Sequence, residues 1–281
     1  MTEGAIIQLP QWLKTPAGEY LLAWEQRHLD QAVVDLFGFH ALQLGLPELE
    51  ALRANRMPHR WVATESLPHS RPSHHAIGAD VDAATPPRAA VALHCDFDAL
   101  PFDAHSLDLV VLPHSLELAR DPHLALREVE RVLVPEGRVV IVGFNPSSLW
   151  GVRQLLGRFR RWLGIRPQQE LFLSAEGEFL GYRRLRDWLR LLSFEVEAGR
   201  FGCYRPPLGS QKWLSRFAWV ESVGDRWWPV FGAVYFVVAV KRVRGMRLVG
   251  LVRQQRVAAK AAPAVVRSHR TQKLSPHHDP D

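Results

Sequence analysis

Several polar side chains that could do chemistry follow short apolar runs in this sequence. Glu65, Asp96, His114 and Asn145 each lie at or just after a run that is typical of a buried strand. Open sheets of parallel strands bind ligands at the carboxyl ends of those strands, so His114 and Asn145, after the fourth and fifth predicted strands, are expected at a ligand site. In such a site His114 could act as a base for a nucleophile or position it. The alternatives are a structural role for His114, a surface acid at Glu65 and a turn cap at Asp96.

The elements that must position these residues are clearest in the middle of the chain. Residues 107–112 form an apolar run, and Asp121 and Pro122 then match a helix N-cap and first helical position. Apolar residues follow at helical spacing, residues 135–137 form a Pro-Glu-Gly turn, and residues 139–142 form a second apolar run. A strand, a helix and a strand with short connections predict a right-handed parallel unit, and therefore an α/β fold with an open parallel sheet.

The remaining elements are predicted from the same signals. Thr15 and Pro16 match a cap and a first helical position, within a mostly helical segment over residues 11–37. Pro47 is expected to open a helix with Leu49, Ala51 and Leu52 on its inner side. Further strands are predicted at 41–44, 59–65, 91–95, from 194, and at 233–240, and further helices at 179–192 and 213–221.

One series of motifs runs through the middle third of the chain. Its members are Asp96, Leu100-Pro101-Phe102, Leu107-Asp108-Leu109-Val110, Glu117, Asp121-Pro122, Glu128, Arg131-Val132-Leu133 and Pro135-Glu136-Gly137. This series resembles a class I S-adenosylmethionine-dependent methyltransferase of the broad small-molecule type called methyltransferase type 11. The resemblance implies a Rossmann-like, doubly wound, mostly parallel sheet of seven strands with an antiparallel last strand. It also implies S-adenosylmethionine as cofactor and methyl transfer to an unidentified, small-molecule acceptor.

The resemblance assigns the cofactor-binding residues one by one. Gly45 matches the first glycine of the family's glycine-rich loop, and Gln43 stands where the family usually has an acid. Glu65 matches the carboxylate that holds the ribose hydroxyls. Asp96 and the backbone N–H of Phe97 match the groups that hold adenine, with an apolar wall after them.

The glycine-rich loop departs from the family pattern, because residues 46–49 are Leu-Pro-Glu-Leu and only Gly45 remains. Glycine lets a backbone approach a ligand without a clashing Cβ. S-adenosylmethionine has no phosphate, so one glycine could suffice, or binding could be weak or lost. The second outcome leads to an alternative function: a catalytically inactive module with this fold that binds RNA or another anionic partner.

The substrate side is assigned to residues after the fourth and fifth predicted strands. The resemblance places His114 at the floor of the methyl-transfer site and makes Asn145 and Trp150 candidates for substrate contact. Methyl transfer from a sulfonium needs in-line placement more than acid–base chemistry. The lack of a recognisable catalytic dyad in this sequence is therefore compatible with the reaction.

Charge is distributed unevenly along the 281 residues. The formal net charge is +6, but residues 241–281 carry ten Lys and Arg against two Asp, so the rest of the chain is weakly acidic. Residues 151–166 form a basic amphipathic helix that contains no acid. This helix could be a lid packed on the domain with its arginines in water, or it could contact nucleic acid, an anionic membrane or an acidic substrate. The basic tail could be a solvated, disordered extension, or it could attract nucleic acid or an anionic membrane at low salt.

We therefore expect an N-terminal helical cap over residues 1–40, a methyltransferase domain over 41–241 with a helical insertion at about 150–192, and a tail over 242–281. The ten tryptophans could line a substrate pocket, although large core residues are the simpler interpretation.

Other classes fit poorly. Cys95 and Cys203 lack metal-ligand or disulfide spacing, and His69, His74 and His75 have no partner ligands nearby, so no metal is expected. No secretory signal is visible, and the longest apolar run, residues 230–240, is too short to span a bilayer. A cytoplasmic protein is expected. No Gly-x-Gly-x-x-Gly follows a predicted strand, which argues against a dinucleotide-dependent dehydrogenase.

Overall fold

The structure is a computed structural model that describes residues 9, 12–65, 91–162, 179–206 and 210–242. These residues form seven strands: β1 (His40–Leu44), β2 (His59–Thr64), β3 (Leu93–His94), β4 (Leu107–Pro113), β5 (Leu133–Phe144), β6 (Phe194–Gly202) and β7 (Val234–Lys241). The sheet order is β3-β2-β1-β4-β5-β7-β6. β1 to β5 pair in parallel, and β7 lies antiparallel between β5 and β6. The expected α/β fold with an antiparallel last strand is confirmed.

The described helices lie before and between these strands. They are α1 (Pro16–Val33), α2 (Ser115–Leu118), α3 (Pro122–Val132), α4 (Leu149–Trp162), α5 (Tyr182–Leu191), α6 (Gln211–Arg216) and α7 (Trp219–Trp227), with a 3-10 turn at Pro229–Phe231. Among the described residues, no helix is both long and apolar enough to cross a membrane.

Two hydrophobic clusters cover the two faces of the sheet, because alternate side chains of each strand point to opposite faces. Leu21 and Leu29 of α1 pack with Val140 of β5 in one cluster. Leu126 of α3 and Leu189 of α5 belong to the other cluster. Helices therefore lie on both sides of the sheet, as a doubly wound fold requires.

The predicted helix starts are confirmed by their hydrogen bonds. The Thr15 hydroxyl accepts the Gly18 N–H, and Pro16 is the first residue of α1. The Asp121 carboxylate accepts the N–H groups of His123 and Leu124 at the start of α3. Both caps act within four residues of sequence, which explains why the pattern alone revealed them.

Three expectations about local structure are wrong. Residues 45–58 contain no helix and run through consecutive turns, with Leu49, Ala51 and Leu52 buried. The turn at residues 135–137 is instead an irregularity within β5, where the register of its pairing with β4 shifts and Glu136 has φ +66°.

The third wrong expectation is that the tryptophans are large core residues. Trp150 is buried, but four others are more than half exposed: Trp213, Trp219, Trp227 and Trp228.

Residues 150–192, expected to form a helical insertion, contain most of α4 and all of α5, and residues 163–178 between them lie outside the described part of the chain. That they form an insertion stays a prediction. The expected tail and the histidines at 69, 74 and 75 also lie outside the described residues.

Candidate functional site

The topology brings the predicted site residues to one edge of the sheet. Gly45 follows β1, Glu65 follows β2, Asp96 lies two residues after β3, His114 follows β4 and Asn145 follows β5. Because these five strands run parallel, their carboxyl ends meet at the same edge. This is the edge at which open α/β sheets bind ligands.

Gly45 lies where the ends of three strands approach each other. Its φ is +76°, a left-handed conformation that favours glycine, and its N–H donates to the Ala63 carbonyl at 2.7 Å. A Cβ at this position would lie 3.0 Å from Ser115 Oγ and 3.7 Å from Phe97 Cζ. The residues after β1, β3 and β4 are therefore in close proximity here, and the lack of a side chain at Gly45 is what permits it.

Gln43 braces the helix-free segment that follows β1. Its Nε2 donates to the carbonyls of Gly45 (3.2 Å), Leu46 (3.0 Å) and Leu49 (2.7 Å), and its Oε1 accepts the Ala51 N–H at 3.0 Å. A carboxylate at this position could accept a hydrogen bond but could not donate any. The amide in place of the family's acid therefore fits a loop that turns its carbonyls back towards β1.

Glu65 and Asp96 lie near each other at the ends of β2 and β3. Burial raises the pKa of Glu65, and the charges of Asp96 and Asp98 raise it further, against an opposing effect of Arg120. The Asp96 side chain is exposed, whereas the Phe97 side chain is buried. A ligand at this end of the sheet would therefore meet two carboxylates.

A buried cluster of three ionisable groups lies beyond β4. His114 Nε2 is 2.8 Å from Glu25 Oε1, and its Nδ1 is 2.9 Å from Glu117 Oε2. The imidazole also stacks on Phe144, with ring centroids 4.2 Å apart. The second oxygen of Glu117 accepts the Phe144 N–H. We call Glu25, His114 and Glu117 the buried triad.

The charges of the triad decide its protonation. Burial would lower the pKa of His114, but the charges and hydrogen bonds of Glu25 and Glu117 outweigh burial and raise that pKa to about 10. Burial raises the pKa of Glu117, partly offset by His114. Carboxylates occupy both ring nitrogens and favour the protonated ring, so this arrangement fixes the orientation of His114. The predicted part of His114 in methyl transfer stays a prediction.

Three glutamates at this edge carry a buried carboxylate oxygen with no hydrogen-bond partner among the described residues: Glu25, Glu48 and Glu65. Glu25 belongs to the triad, Glu48 lies in the loop after β1, and Glu65 follows β2. Buried carboxylate oxygens normally accept hydrogen bonds, so three such atoms at one edge indicate a place for a ligand that supplies donors or positive charge.

Helix α1 is held over this edge by a second polar cluster. The Tyr20 hydroxyl donates to the Glu221 carboxylate, and the Arg205 guanidinium lies 4.6 Å from the centre of the Tyr20 ring. The Trp24 ring packs directly against Gly202 at the end of β6. These contacts position Glu25, which follows Trp24, against the end of β4.

Asn145 and Trp150, the residues expected to contact a substrate, are both buried. Asn145 Nδ2 donates to the carbonyls of Val230 (2.7 Å) and Gly232 (2.9 Å), and Trp150 Nε1 donates to the Arg205 carbonyl at 2.7 Å. These bonds connect the start of α4 to the segments around β6 and β7. A contact with substrate stays a prediction for both residues.

The sequence did not identify Glu25, because its partner His114 lies 89 residues away. One signal was present: Glu25 stands midway between Leu21 and Leu29 on the apolar face of α1, at intervals of four residues, and all three are fully buried. An acid in the middle of an apolar stripe indicates a buried partner. Among the described residues, no group of His, Cys, Asp and Glu is arranged to hold a metal ion.

Comparison with known proteins agrees with the fold and with the family that the sequence motifs resemble. Residues 65–141 match the family described as "Methyltransferase domain". The chain is 31% identical over 193 residues to the uncharacterized protein YafS of Escherichia coli (strain K12), covering 68% of this chain and 67% of YafS. It is also 38% identical over 56 residues to the demethylmenaquinone methyltransferase of Chlamydia pneumoniae, covering 20% of this chain and 24% of that protein.

A solved structure shows the same fold. The complex between the Haloferax volcanii Trm112 methyltransferase activator and its methyltransferase gives a TM-score of 0.52 at 18% identity, covering 86% of this chain and 99% of that one. At 18% identity this similarity supports the fold alone. Together with the matched family and the match to YafS, it leads to one conclusion: the chain belongs to the class I S-adenosylmethionine-dependent methyltransferases.

Proposed function

We propose that this protein transfers the methyl group of S-adenosylmethionine to an oxygen, nitrogen or carbon of a small-molecule acceptor. The observation that carries the proposal is the set of three buried glutamate oxygens without partners at the carboxyl edge. S-adenosylmethionine brings hydrogen-bond donors and positive charge in its ribose hydroxyls, its ammonium group and its sulfonium. The donor set of the ligand therefore complements the acceptor set of the site.

The residues present fit the cofactor in several ways. Glu65 would hold the ribose hydroxyls with its free oxygen, and Asp96 with the Phe97 N–H would hold adenine. Gly45, which has no Cβ, would let the residues after β3 and β4 pack closely beside the ligand. Glu48, in the loop that Gln43 braces, supplies a further carboxylate for the ammonium group.

Bound S-adenosylmethionine would supply an electrophilic methyl group on a cationic sulfur. The acceptor loses one proton overall when it gains the methyl group. The protonated His114 cannot take that proton, whereas the free oxygen of Glu25 can accept a hydrogen bond from the acceptor or receive its proton. His114 and Glu117 therefore act as positioning residues.

Calorimetric titration with S-adenosylmethionine and S-adenosylhomocysteine tests cofactor binding. We expect micromolar affinity, about −8 kcal/mol. Glu65→Gln should weaken binding about tenfold, since a hydrogen bond to a charged group contributes about 1.5–3 kcal/mol. Glu195→Gln is the matched control, because Glu195 is exposed and lies at the opposite edge of the sheet. Failure of the unsubstituted protein to bind either ligand would refute the proposal.

Transfer itself is measured with a methyl-labelled cofactor and small-molecule fractions of a cell extract. Glu25→Gln should lower incorporation while leaving the affinity for S-adenosylhomocysteine within about twofold, since that amide cannot receive the proton. An equal loss of cofactor affinity would assign Glu25 to binding.

A second candidate function is a non-catalytic module that binds RNA or another anionic partner through α4 and the basic tail. The helix-free connection after β1, with its single glycine, favours it. RNA binding that depends strongly on salt and survives Gly45→Ala and Asp96→Ala, in a protein that does not bind the cofactor, would establish this function instead.

A further inference from the structure

Helix α4 presents an apolar stripe to the outside of the domain. The stripe, which we call the α4 stripe, consists of residues three and four apart, each about half exposed or more: Leu149, Val152, Leu155, Leu156 and Phe159. The helix packs inward through other residues, since Trp150 and Gln154 are buried. The helix therefore packs on the domain through its Trp150 and Gln154 side, and the α4 stripe faces outward.

The charge of α4 complements an anionic partner. The helix contains Arg153, Arg158, Arg160 and Arg161 and no acidic residue. A helix with Leu, Val and Phe on an exposed stripe and arginines between them has the composition of helices that lie in the interface of a membrane. Leaving water is favourable for the stripe, and proximity to anionic headgroups is favourable for the arginines.

A second exposed apolar group lies beside the start of α4. It comprises side chains that are each more than half exposed: Trp213, Trp219, Trp227, Trp228, Val230 and Phe231. Asn145, four residues before α4, donates to the Val230 carbonyl, and Trp150 donates to the Arg205 carbonyl. Arg205 in turn contacts the Leu214 carbonyl of α6. Tryptophan favours the boundary between headgroups and acyl chains because its ring has both apolar and polar parts.

We propose that the α4 stripe, with the neighbouring tryptophans, docks this protein on an anionic lipid membrane. RNA is a weaker fit, because leucine and valine side chains gain little against a polar nucleic-acid surface, whereas they enter the acyl region of a bilayer. The docked edge is the one that carries Asn145 and the candidate site. The proposal does not depend on methyl transfer, since cofactor titration and vesicle binding are separate measurements.

The test is co-sedimentation of the full chain with vesicles of phosphatidylcholine, with and without phosphatidylglycerol. We expect binding to the anionic vesicles that weakens as salt rises. Leu155→Glu should lower the partition coefficient about tenfold or more, because the charge must either enter the acyl boundary or hold the stripe away from it. The thermal unfolding transition of this variant should match that of the unsubstituted protein.

Leu191→Glu is the matched control. Leu191 is also a helical leucine, 77% exposed against 69% for Leu155, but it lies at the opposite edge of the sheet, just before β6. We expect it to bind within about twofold of the unsubstituted protein.

Three results would overturn the proposal. The first is that the protein does not bind anionic vesicles. The second is that Leu155→Glu and Leu191→Glu lower vesicle binding equally. The third is that the protein binds RNA and not vesicles, and that Leu155→Glu weakens the RNA binding. A dimer in light scattering that Leu155→Glu converts to a monomer, without vesicle binding, would assign the stripe to a second copy of the chain.

Discussion

Two connections join neighbouring parallel strands at the candidate site, and they are built differently. The connection from β4 to β5 contains two helices, and its Asp121 cap is satisfied within three residues. The connection from β1 to β2 contains no helix, and four of its backbone groups bond to the side chain of Gln43, which reaches out of the strand before it. Its other bonded backbone groups pair within its own turns or with further side chains, among them Gln26. The first connection depends on local hydrogen bonds, and the second depends in large part on the side chain of Gln43 in the preceding strand.

The difference shows that two kinds of connection, with different hydrogen bonding, can form the same ligand-binding edge of the sheet. Helical connections satisfy their own backbone groups and need only a cap at each end. A helix-free connection leaves inward-facing carbonyls that must find another donor. Substitutions in each connection should therefore differ in cost, and the following four run from the largest expected effect to the smallest.

His114→Ala should have the largest effect, because it leaves Glu25 and Glu117 buried beside each other without their shared partner. Removing one member of a buried ionic cluster typically costs about 3–5 kcal/mol. Urea unfolding at neutral pH measures this cost. Glu25→Gln combined with His114→Ala should recover part of the stability, whereas an additive loss would contradict electrostatic coupling within the triad.

The same residue predicts a dependence on pH. The pKa of His114 is raised to about 10 from its ordinary 6.5, so its contribution to stability is fully present below pH 6.5 and is lost as the pH rises through 10. The raised pKa of Glu117 acts in the same direction, because its deprotonation is disfavoured in the folded state. The free energy of unfolding, measured from pH 7 to pH 10, should decline as the pH rises. The decline should be smaller in His114→Ala and unchanged in His59→Ala, the control at an exposed histidine.

Gln43→Leu should cost about 3 kcal/mol, because it removes one acceptor and the donors for three carbonyls in a buried turn. Gln26→Leu is the control, since Gln26 is only partly buried and bonds to a single carbonyl of this connection, that of Glu50, besides the Asp30 carboxylate. Urea unfolding compares the two. Equal losses would show that the amide of Gln43 has no special part in holding the helix-free connection.

Gly45→Ala and Asp121→Ala should have smaller effects, one in each connection. A Cβ at Gly45 requires a left-handed conformation and lies 3.0 Å from Ser115 Oγ, which together cost about 1–2 kcal/mol. Loss of the Asp121 cap should cost about 1 kcal/mol. Gly45→Ala should also weaken cofactor binding in calorimetry, whereas Asp121→Ala should leave the affinity unchanged. Equal effects on affinity would remove Gly45 from the candidate site.

The amino-acid pattern was enough to predict the strands, their α/β arrangement, the caps at Thr15 and Asp121, and the family. These features follow from periodicity, from hydrogen bonds between near neighbours in sequence, and from motifs that keep a constant spacing. The same reasoning wrongly predicted a helix after Pro47, where the structure has turns. The apolar spacing of Leu49 and Leu52 suits a helix as well as a buried turn, so the pattern could not distinguish the two.

Folding decided the features that depend on residues distant in sequence. Glu25 and His114 are 89 residues apart, and only the packing of α1 on the sheet joins them. The loop after β1 turns its carbonyls towards the Gln43 amide, and this amide supplies hydrogen bonds that a helix would have made within itself. The α4 stripe faces outward because Trp150 and Gln154 take the inner side of that helix. Periodicity reveals that a helix has an apolar side, but the arrangement of its neighbours decides whether that side is covered.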